Sequence, residues 1–274
     1  MISYSKAHAC GNDFLVVTEE AAAGRDKAEL ARQLCPRNTG VGADGVEFFR
    51  WTGERTGVIK LHNADGSIAE ISGNGTRCVA AWMAEQHNLG KGNTIEILTD
   101  AGLRTCRIDA IDRDAGFHVE VTAGMGVPVF KPRTVVLADG LAVAGTEVST
   151  GNPHFVIVVD NAEFKVAGRD WHEIGAAICT HADFPHQTNV EFLRRVSASE
   201  IEIRIFERGV GPTQSSGTGT SATATTALAN CQCQSPLRVV APGGAQTIAW
   251  SGAGTELFLT GPAALIARGE AFLK

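Results

Sequence analysis

Two short stretches of the chain carry the same chemical pattern. Residues 71–78 read ISGNGTRC and residues 215–222 read SSGTGTSA, so Ser-Gly-x-Gly-Thr occurs twice, at Ser72 and at Ser216. Each stretch ends in residues that can open a helix, where the first N–H groups lack intrahelical partners and the helix dipole is positive. Such a turn is a ready site for an anion. A phosphate loop of the Walker kind would need Gly-Lys-Ser/Thr, which neither stretch has. A dinucleotide fingerprint can be drawn on Gly217-x-Gly219-x-x-Ala222, but the acidic residue it requires about twenty positions later is missing from PLRVVAP, residues 236–242. A carboxylate remains. Two opposed anion-holding turns suit chemistry at the carbon beside that carboxylate, because they stabilise the charge that develops as a proton leaves. An acid or base on each side would let the proton be taken from one face and returned to the other, which is the logic of a racemase or epimerase.

The elements that must position these turns repeat as well. A strand at 14–17 is followed by a helix whose face carries Ala28, Leu30, Ala31 and Leu34, then by strands at 57–61 and 94–98. Between those two strands, Cys78, Val79, Trp82 and Met83 mark one face of a helix for which Gly90 is the expected stop. The second half repeats the order: a strand at 155–159, a helix from Asp170 to about Cys179, a strand at 201–206, and a helix opening at Gly217. That last helix, TSATATTALAN, is small and uncharged all round, as a helix buried on every side would be. Gly11-Asn12 and Gly151-Asn152, each followed by an apolar strand, are a second echo. Gly11 to Gly151 is a displacement of 140 residues and Ser72 to Ser216 one of 144. A duplicated half-chain accounts for both. The fold class is therefore mixed α/β in two pseudo-symmetric domains, with Ser72 and Ser216 expected to face each other across a cleft of the kind that holds small molecules.

Composition narrows the partner. Thirty acidic against twenty-four basic residues give a net charge of −6 without a Lys/Arg cluster, so no footprint for nucleic acid or anionic membrane is present. No apolar run approaches the length of a membrane span, and the N-terminus lacks the pattern of a secretory signal. Seven cysteines without a CxxC pair read as free thiols of a reducing, cytoplasmic compartment. His172, His181 and His186 lack the recurring spacing of metal ligands and read as structural or solvent histidines, so no metal is expected. Asp44 in GVGADG and Asp65 in NADGS read as turn formers, and Cys10 and Cys78 as packed thiols.

The segments HACGNDFLVV, GVGADG, NADGSIAEISGNGTRC, GNPHFVIV, TNVEF and ERGVGPTQSSGTG together resemble diaminopimelate epimerase, in the same order from residue 8 to 219. The resemblance implies two α/β halves, each a curled mixed sheet or barrel around a central helix, with boundaries expected at 1–116 plus 263–274 and at 117–262. It implies a two-base reaction without a cofactor, interconverting LL- and meso-diaminopimelate in lysine and peptidoglycan biosynthesis. Carried over residue by residue, it assigns the distal end of the substrate to Asn63, Asn152, Asn189, Glu207 and Arg208, with Asn12 lining the same site. The α-carboxylate falls to the backbone N–H groups of Gly73, Asn74, Gly217 and Thr218. The partner is a small amino acid, and a homodimer is the protein assembly in view.

The catalytic positions depart from that family, which has cysteine where Ser72 and Ser216 stand. A thiol near a helix start ionises readily, whereas a serine hydroxyl acts as a base only with another base beside it. Pro212 and Gln214-Ser215-Ser216 also differ from the family's GETxACGTG, and Pro212 removes a backbone donor. Three readings stay open. The serines are activated by His62, His154, Asp65 or a bound water; the scaffold serves another amino acid as racemase, isomerase or lyase; or a Cys→Ser pair binds the amino acid without turnover.

Overall fold

The computed structural model describes every residue except Glu70, Ala115 and Lys274. The chain forms two compact units, one comprising Met1–Gly124 with Thr260–Lys274 and the other Met125–Leu259. In chain order the first unit contains β1 (Ile2–Ala9), β2 (Asn12–Thr18), α1 (Lys27–Leu34), β3 (Gly45–Gly53), β4 (Thr56–Asn63), β5 (Ile68–Ala69), α2 (Gly73–Gln86), β6 (Thr94–Thr99), β7 (Gly102–Asp112) and β8 (Phe117–Gly124). The second contains β9 (Val129–Val136), β10 (Ala142–Ser149), β11 (Pro153–Val159), α3 (Trp171–Cys179), β12 (Asn189–Arg195), β13 (Glu200–Glu207), β14 (Gly211–Thr213), α4 (Gly217–Asn230), β15 (Leu237–Ala241) and β16 (Gly244–Trp250). The last strand, β17 (Leu257–Ala271), starts in the second unit and returns to the first.

The division lies later than residue 116 and earlier than residue 262, for a local reason at each end. β8 pairs antiparallel with β7, from His118 opposite Asp112 to Ala123 opposite Cys106, so it belongs to the first unit. Thr260 joins it because its hydroxyl shares a 2.6 Å hydrogen bond with that of Thr122.

The pairing pattern shows the duplication directly. In the first unit β2 and β3 are parallel, β3 and β4 antiparallel, β4 and β6 parallel, and β6 and β7 antiparallel. In the second, β11 and β12, β12 and β13, β13 and β15, and β15 and β16 repeat those four relationships in order. Pairings of β1 with β2 and β17, and of β17 with β8, close the first sheet into an eight-stranded barrel.

One helix of each unit lies outside its sheet and one inside. Val46 and Phe48 of β3 pack with Leu30, Ala31 and Leu34 of α1, and Val190 and Phe192 of β12 pack with Ile174 and Ile178 of α3. Strand alternation then turns Glu47, Phe49, Glu191 and Leu193 to the opposite face. There α2 is buried at every residue from Gly73 to Ala84, and α4 at every residue from Gly217 to Ala227. For α4 this is the burial its composition predicts. Four of its hydroxyls, on Ser221, Thr223, Thr225 and Thr226, donate to the carbonyl one turn back, which lets a polar helix be buried, while the Thr220 hydroxyl has no partner among the described residues.

For α2 the expected single apolar face is wrong: the helix is enclosed all round and includes Arg77, whose guanidinium donates to Gly73 O at 3.2 Å and Asn74 Oδ1 at 2.7 Å. Gly90 is not its stop either. His87 is the C-cap, Asn88 takes the left-handed conformation at φ 50°, and Leu89 N donates to Ala84 O. Among the described residues no helix is long and apolar enough to cross a membrane.

Candidate functional site

Both Ser-Gly-x-Gly turns are the starts of the enclosed helices. Ser72 is extended (φ −125°, ψ 119°) and caps α2: its Oγ accepts from Gly75 N at 3.0 Å and its carbonyl from Thr76 N at 2.8 Å. Ser216 (φ −144°, ψ 128°) caps α4 in the same way, accepting from Gly219 N at 3.2 Å and from Thr220 N at 2.9 Å. Each cap thereby takes the third and fourth N–H groups. The N–H groups of Gly73, Gly217 and Thr218 are left without an acceptor among the described residues, at the positive end of a helix dipole.

In the first unit a polar line runs away from the turn. Arg77 donates to Asn74, Asn74 Nδ2 donates to Asn12 Oδ1 at 3.1 Å, and Asn12 Nδ2 donates to Asp44 Oδ2 at 2.6 Å. Arg37 anchors the far end on Asp44 Oδ1 at 2.7 Å and Asp13 Oδ1 at 2.8 Å. Asp44 therefore does more than shape a turn: it orients Asn12. Burial alone would raise the Asp13 carboxyl, but hydrogen bonds from Arg37 and Lys6 outweigh it and hold that group below the ordinary carboxylate range. Asn63, at the end of β4, donates from Nδ2 to Ser67 Oγ at 3.0 Å. Asp65 accepts from Ser67 N and Oγ, and His62 Nδ1 donates to Gly66 O at 3.2 Å. Both are committed to that hairpin rather than to Ser72.

The second unit has a different inner arrangement. Asn152 Nδ2 donates to Thr218 Oγ1 at 3.3 Å, which fixes the amide so that its Oδ1 accepts from His154 Nε2 at 2.8 Å. His154 Nδ1 meets Glu191 Oε1 at 2.7 Å, with both side chains fully buried. Since Nε2 carries a hydrogen, this contact needs one further proton, held by the imidazole or by the carboxyl. Asn189 Oδ1 accepts from Arg208 N at 3.0 Å, and the Arg208 guanidinium donates to His186 O at 3.3 Å. Glu207 closes β13 opposite Gly211, with Pro212 exposed beside it on the short strand β14.

Beneath each turn lies a buried glutamate, and the sequence reading missed both. A Cβ built on Gly75 would lie 2.1 Å from Glu47 Oε1 and 3.2 Å from Ser72 Cβ; one built on Gly219 would lie 2.8 Å from Glu191 Oε1 and 3.3 Å from Ser216 Oγ. The second glycine of each motif is thus the gap through which a carboxyl approaches the helix start. Glu47 and Glu191 are displaced by the same 144 residues as Ser72 and Ser216, within the shared triplet Val-Glu-Phe. The surroundings differ. Phe14 stands two residues before the strand partner of Glu47, where His154 stands relative to the partner of Glu191. Glu47 consequently has no imidazole, and neither of its oxygens has a hydrogen-bond partner among the described residues. Burial pushes its carboxyl up to about 8, so it is protonated at neutrality.

The thiols of Cys35, Cys78 and Cys106 in the first unit are buried. Cys78 is fully buried one turn and more into α2, and burial raises its thiol; Cys106 and Cys35 are pushed up to about 12.

The family model for diaminopimelate epimerase matches residues 4–131 and 146–266. A diaminopimelate epimerase of Carboxydothermus hydrogenoformans is 34% identical over 99% of this chain and 100% of its own length, and one of Desulfitobacterium hafniense is 36% identical over 96% of each. Among solved structures, a hydroxyproline epimerase from Agrobacterium vitis shares the fold with a TM-score of 0.70 at 16% identity, over 98% of this chain and 91% of that one.

Proposed function

Because the chain belongs to the diaminopimelate epimerase family, a family of amino-acid epimerases, we propose that it inverts the α-carbon of diaminopimelate, between the LL and meso forms, by removing and returning a proton. The observation that carries this reading is the pair of Ser-Gly-x-Gly helix starts, each with open N–H groups and each above a buried glutamate. Inversion needs one group to take a proton and another to give one, and in this reading the two helix starts are those stations, alike in the serine cap and the glutamate beneath it and different in what faces that glutamate.

In this reading Ser72 and Ser216 face the reacting carbon as proton handlers, and the N–H groups of Gly73, Asn74, Gly217 and Thr218 hold the α-carboxylate. Charge that develops there as the proton leaves meets donors already in place, without reorganisation. Arg208 pairs with the distal carboxylate, Glu207 accepts from the distal ammonium, and Asn12, Asn63, Asn152 and Asn189 complete the donors and acceptors. Ser216 would draw on Glu191, whose contact with His154 already holds one proton that can sit on either partner.

The test is incubation with LL-diaminopimelate in D2O, following the α-proton by NMR. The reading requires deuterium at the α-carbon and the appearance of meso product; neither appearing refutes it. The specific observation favouring a second reading, a diamino-acid binder without turnover, is the hydroxyl at both base positions. Calorimetric binding without any exchange would establish that form.

A further inference from the structure

Burying a polar group without a hydrogen bond costs free energy, so a carboxyl with two unpartnered oxygens inside a barrel needs a reason. Glu47 is such a group. It reaches the start of α2 only because Gly75 has no side chain, and Ser72 Cβ borders the same gap. The Ser72 hydroxyl oxygen accepts from Gly75 N, and its own hydrogen is uncommitted among the described residues. Its pseudo-symmetric counterpart Glu191 spends one oxygen on His154, whereas the position equivalent to His154 is Phe14 in the first unit. The charged and titratable groups around the same interior are Arg77 and Cys78 on α2, Asp13 on β2 and Cys10 just before it. Arg77 is turned to Gly73 O and Asn74, and Asp13 to Arg37 and Lys6.

We propose that Glu47 is the proton reservoir of Ser72, with the serine hydroxyl carrying protons between the Glu47 carboxyl and the α-carbon of the substrate. The proposal rests on the epimerase reading above. In the forward step the Ser72 hydroxyl hydrogen passes to the carbanion while the Glu47 carboxyl hydrogen passes to Ser72 Oγ, leaving a carboxylate and an intact hydroxyl. In the reverse step Ser72 Oγ takes the α-hydrogen and gives its own to the carboxylate, and the electron pair stays on the carbon. The serine is never a free alkoxide, which answers the weakness of a hydroxyl as a base. Glu47 lies across the Gly75 gap from Ser72 and acts through that hydroxyl rather than on substrate, as a positioning and proton-holding residue.

The experiment compares α-deuterium exchange on LL-diaminopimelate in four proteins: wild type, Glu47→Gln, Ser72→Cys, and Ser72→Cys with Glu47→Gln. Glu47→Gln keeps shape and removes the mobile proton, so exchange should fall about 100-fold or more, with KM changed less than about threefold. A thiol supplies its own acidity, so the same substitution in the Ser72→Cys background should cost less than about fivefold. An equal loss in both backgrounds, or no loss in either, overturns the relay. Carboxyl resonances of glutamate labelled with 13C give a readout that needs no turnover. One signal, absent from Glu47→Gln, should titrate near 8 and move when Ser72 is replaced by alanine. Titration in the ordinary glutamate range, or a midpoint indifferent to Ser72→Ala, overturns the proposal. If wild type and the Ser72→Cys, Ser216→Cys double variant both fail to exchange while the coupled titration is present, the substrate reading falls and the proton link stands.

Discussion

His154 and Glu191 meet at 2.7 Å with neither side chain exposed to solvent, and the position equivalent to His154 in the other half of the duplication is Phe14. The two halves thus keep a buried glutamate under the helix start and differ in what faces it. Replacing His154 by phenylalanine copies the first unit into the second and leaves Glu191 unpaired. Removing one partner of a buried pair typically costs about 3–5 kcal/mol, whereas replacing both by apolar groups recovers much of that. Urea denaturation should show His154→Phe destabilised by about 3 kcal/mol and His154→Phe with Glu191→Leu closer to wild type. Equal stability of His154→Phe and wild type would mean the contact carries no net energy.

The pH dependence of stability has two limbs with opposite causes. Glu47 binds a proton in the folded protein up to about pH 8 but releases it near its ordinary value of 4.5 when unfolded. The folded state therefore holds more protons between those values, and stability falls as pH rises through that window, by at most about 1.4 kcal/mol per pH unit. Asp13, held below the ordinary range, contributes stability that is present above its unfolded value of 3.8 and is lost as pH falls through the lower folded value. Denaturation midpoints measured from pH 4 to 9 should decline between about pH 4.5 and 8 in wild type, level off above that, and stay flatter through the window in Glu47→Gln. An identical slope in both between about pH 4.5 and 8 would show that Glu47 is not held protonated by the fold.

The two cap serines have separable structural and chemical roles. Ser72→Ala or Ser216→Ala removes the acceptor of Gly75 N or Gly219 N, a loss of about 1 kcal/mol for an N-cap. Ser72→Cys with Ser216→Cys places thiols at two helix starts, where a thiolate is favoured. Proton transfer by positioned groups of matched acidity is worth about 100-fold or more, so exchange at the α-carbon of LL-diaminopimelate should rise by that order in the double cysteine variant. A double variant that binds diaminopimelate but exchanges no faster than wild type would show that the side chains at 72 and 216 do not face the reacting carbon.

Much of this arrangement was legible in the sequence because it rests on local pattern. Gly11-Asn12 with Gly151-Asn152, and the two Ser-Gly-x-Gly turns, disclosed the duplication, and the apolar periods around them disclosed β2, β11 and the helices. The burial of α4 followed from its composition. That of α2 did not, because Arg77 ordinarily marks a solvated face and only its bonds to Gly73 O and Asn74 allow it inside. The glutamates were hidden for a related reason. A single charged residue inside an apolar strand looks like an outward-facing one, and it is the strand alternation, with Val46 and Phe48 spoken for by α1, that turns Glu47 inward. The signal that could have found them was present: Val46-Glu47-Phe48 and Val190-Glu191-Phe192 repeat at the displacement of the two serines. Asp44 was misjudged because its role depends on Asn12, distant in sequence, arriving 2.6 Å away.

Gly75 and Gly219 offer the sharpest test of how close the carboxyls come to the helix starts. A methyl group on Gly75 would begin 2.1 Å from Glu47 Oε1, and one on Gly219 would begin 2.8 Å from Glu191 Oε1, both closer than atoms tolerate. Neither glycine has a left-handed backbone, so alanine is acceptable to the chain and, in a helix, favours it by about 1 kcal/mol. Steric conflict with the glutamate is thus what opposes the substitution. Gly75→Ala should be the more destabilising of the two, by about 2–3 kcal/mol, within the range for overpacking a close-packed interior. Combined with Glu47→Ala, which vacates the space, the same substitution should become neutral or stabilising. The coupling between the two, read from a double-mutant cycle of unfolding free energies, should then exceed about 1 kcal/mol with a sign that favours the pair. Additive effects would place the Glu47 carboxyl away from the start of α2, and with it remove the geometric basis for linking Glu47 to Ser72.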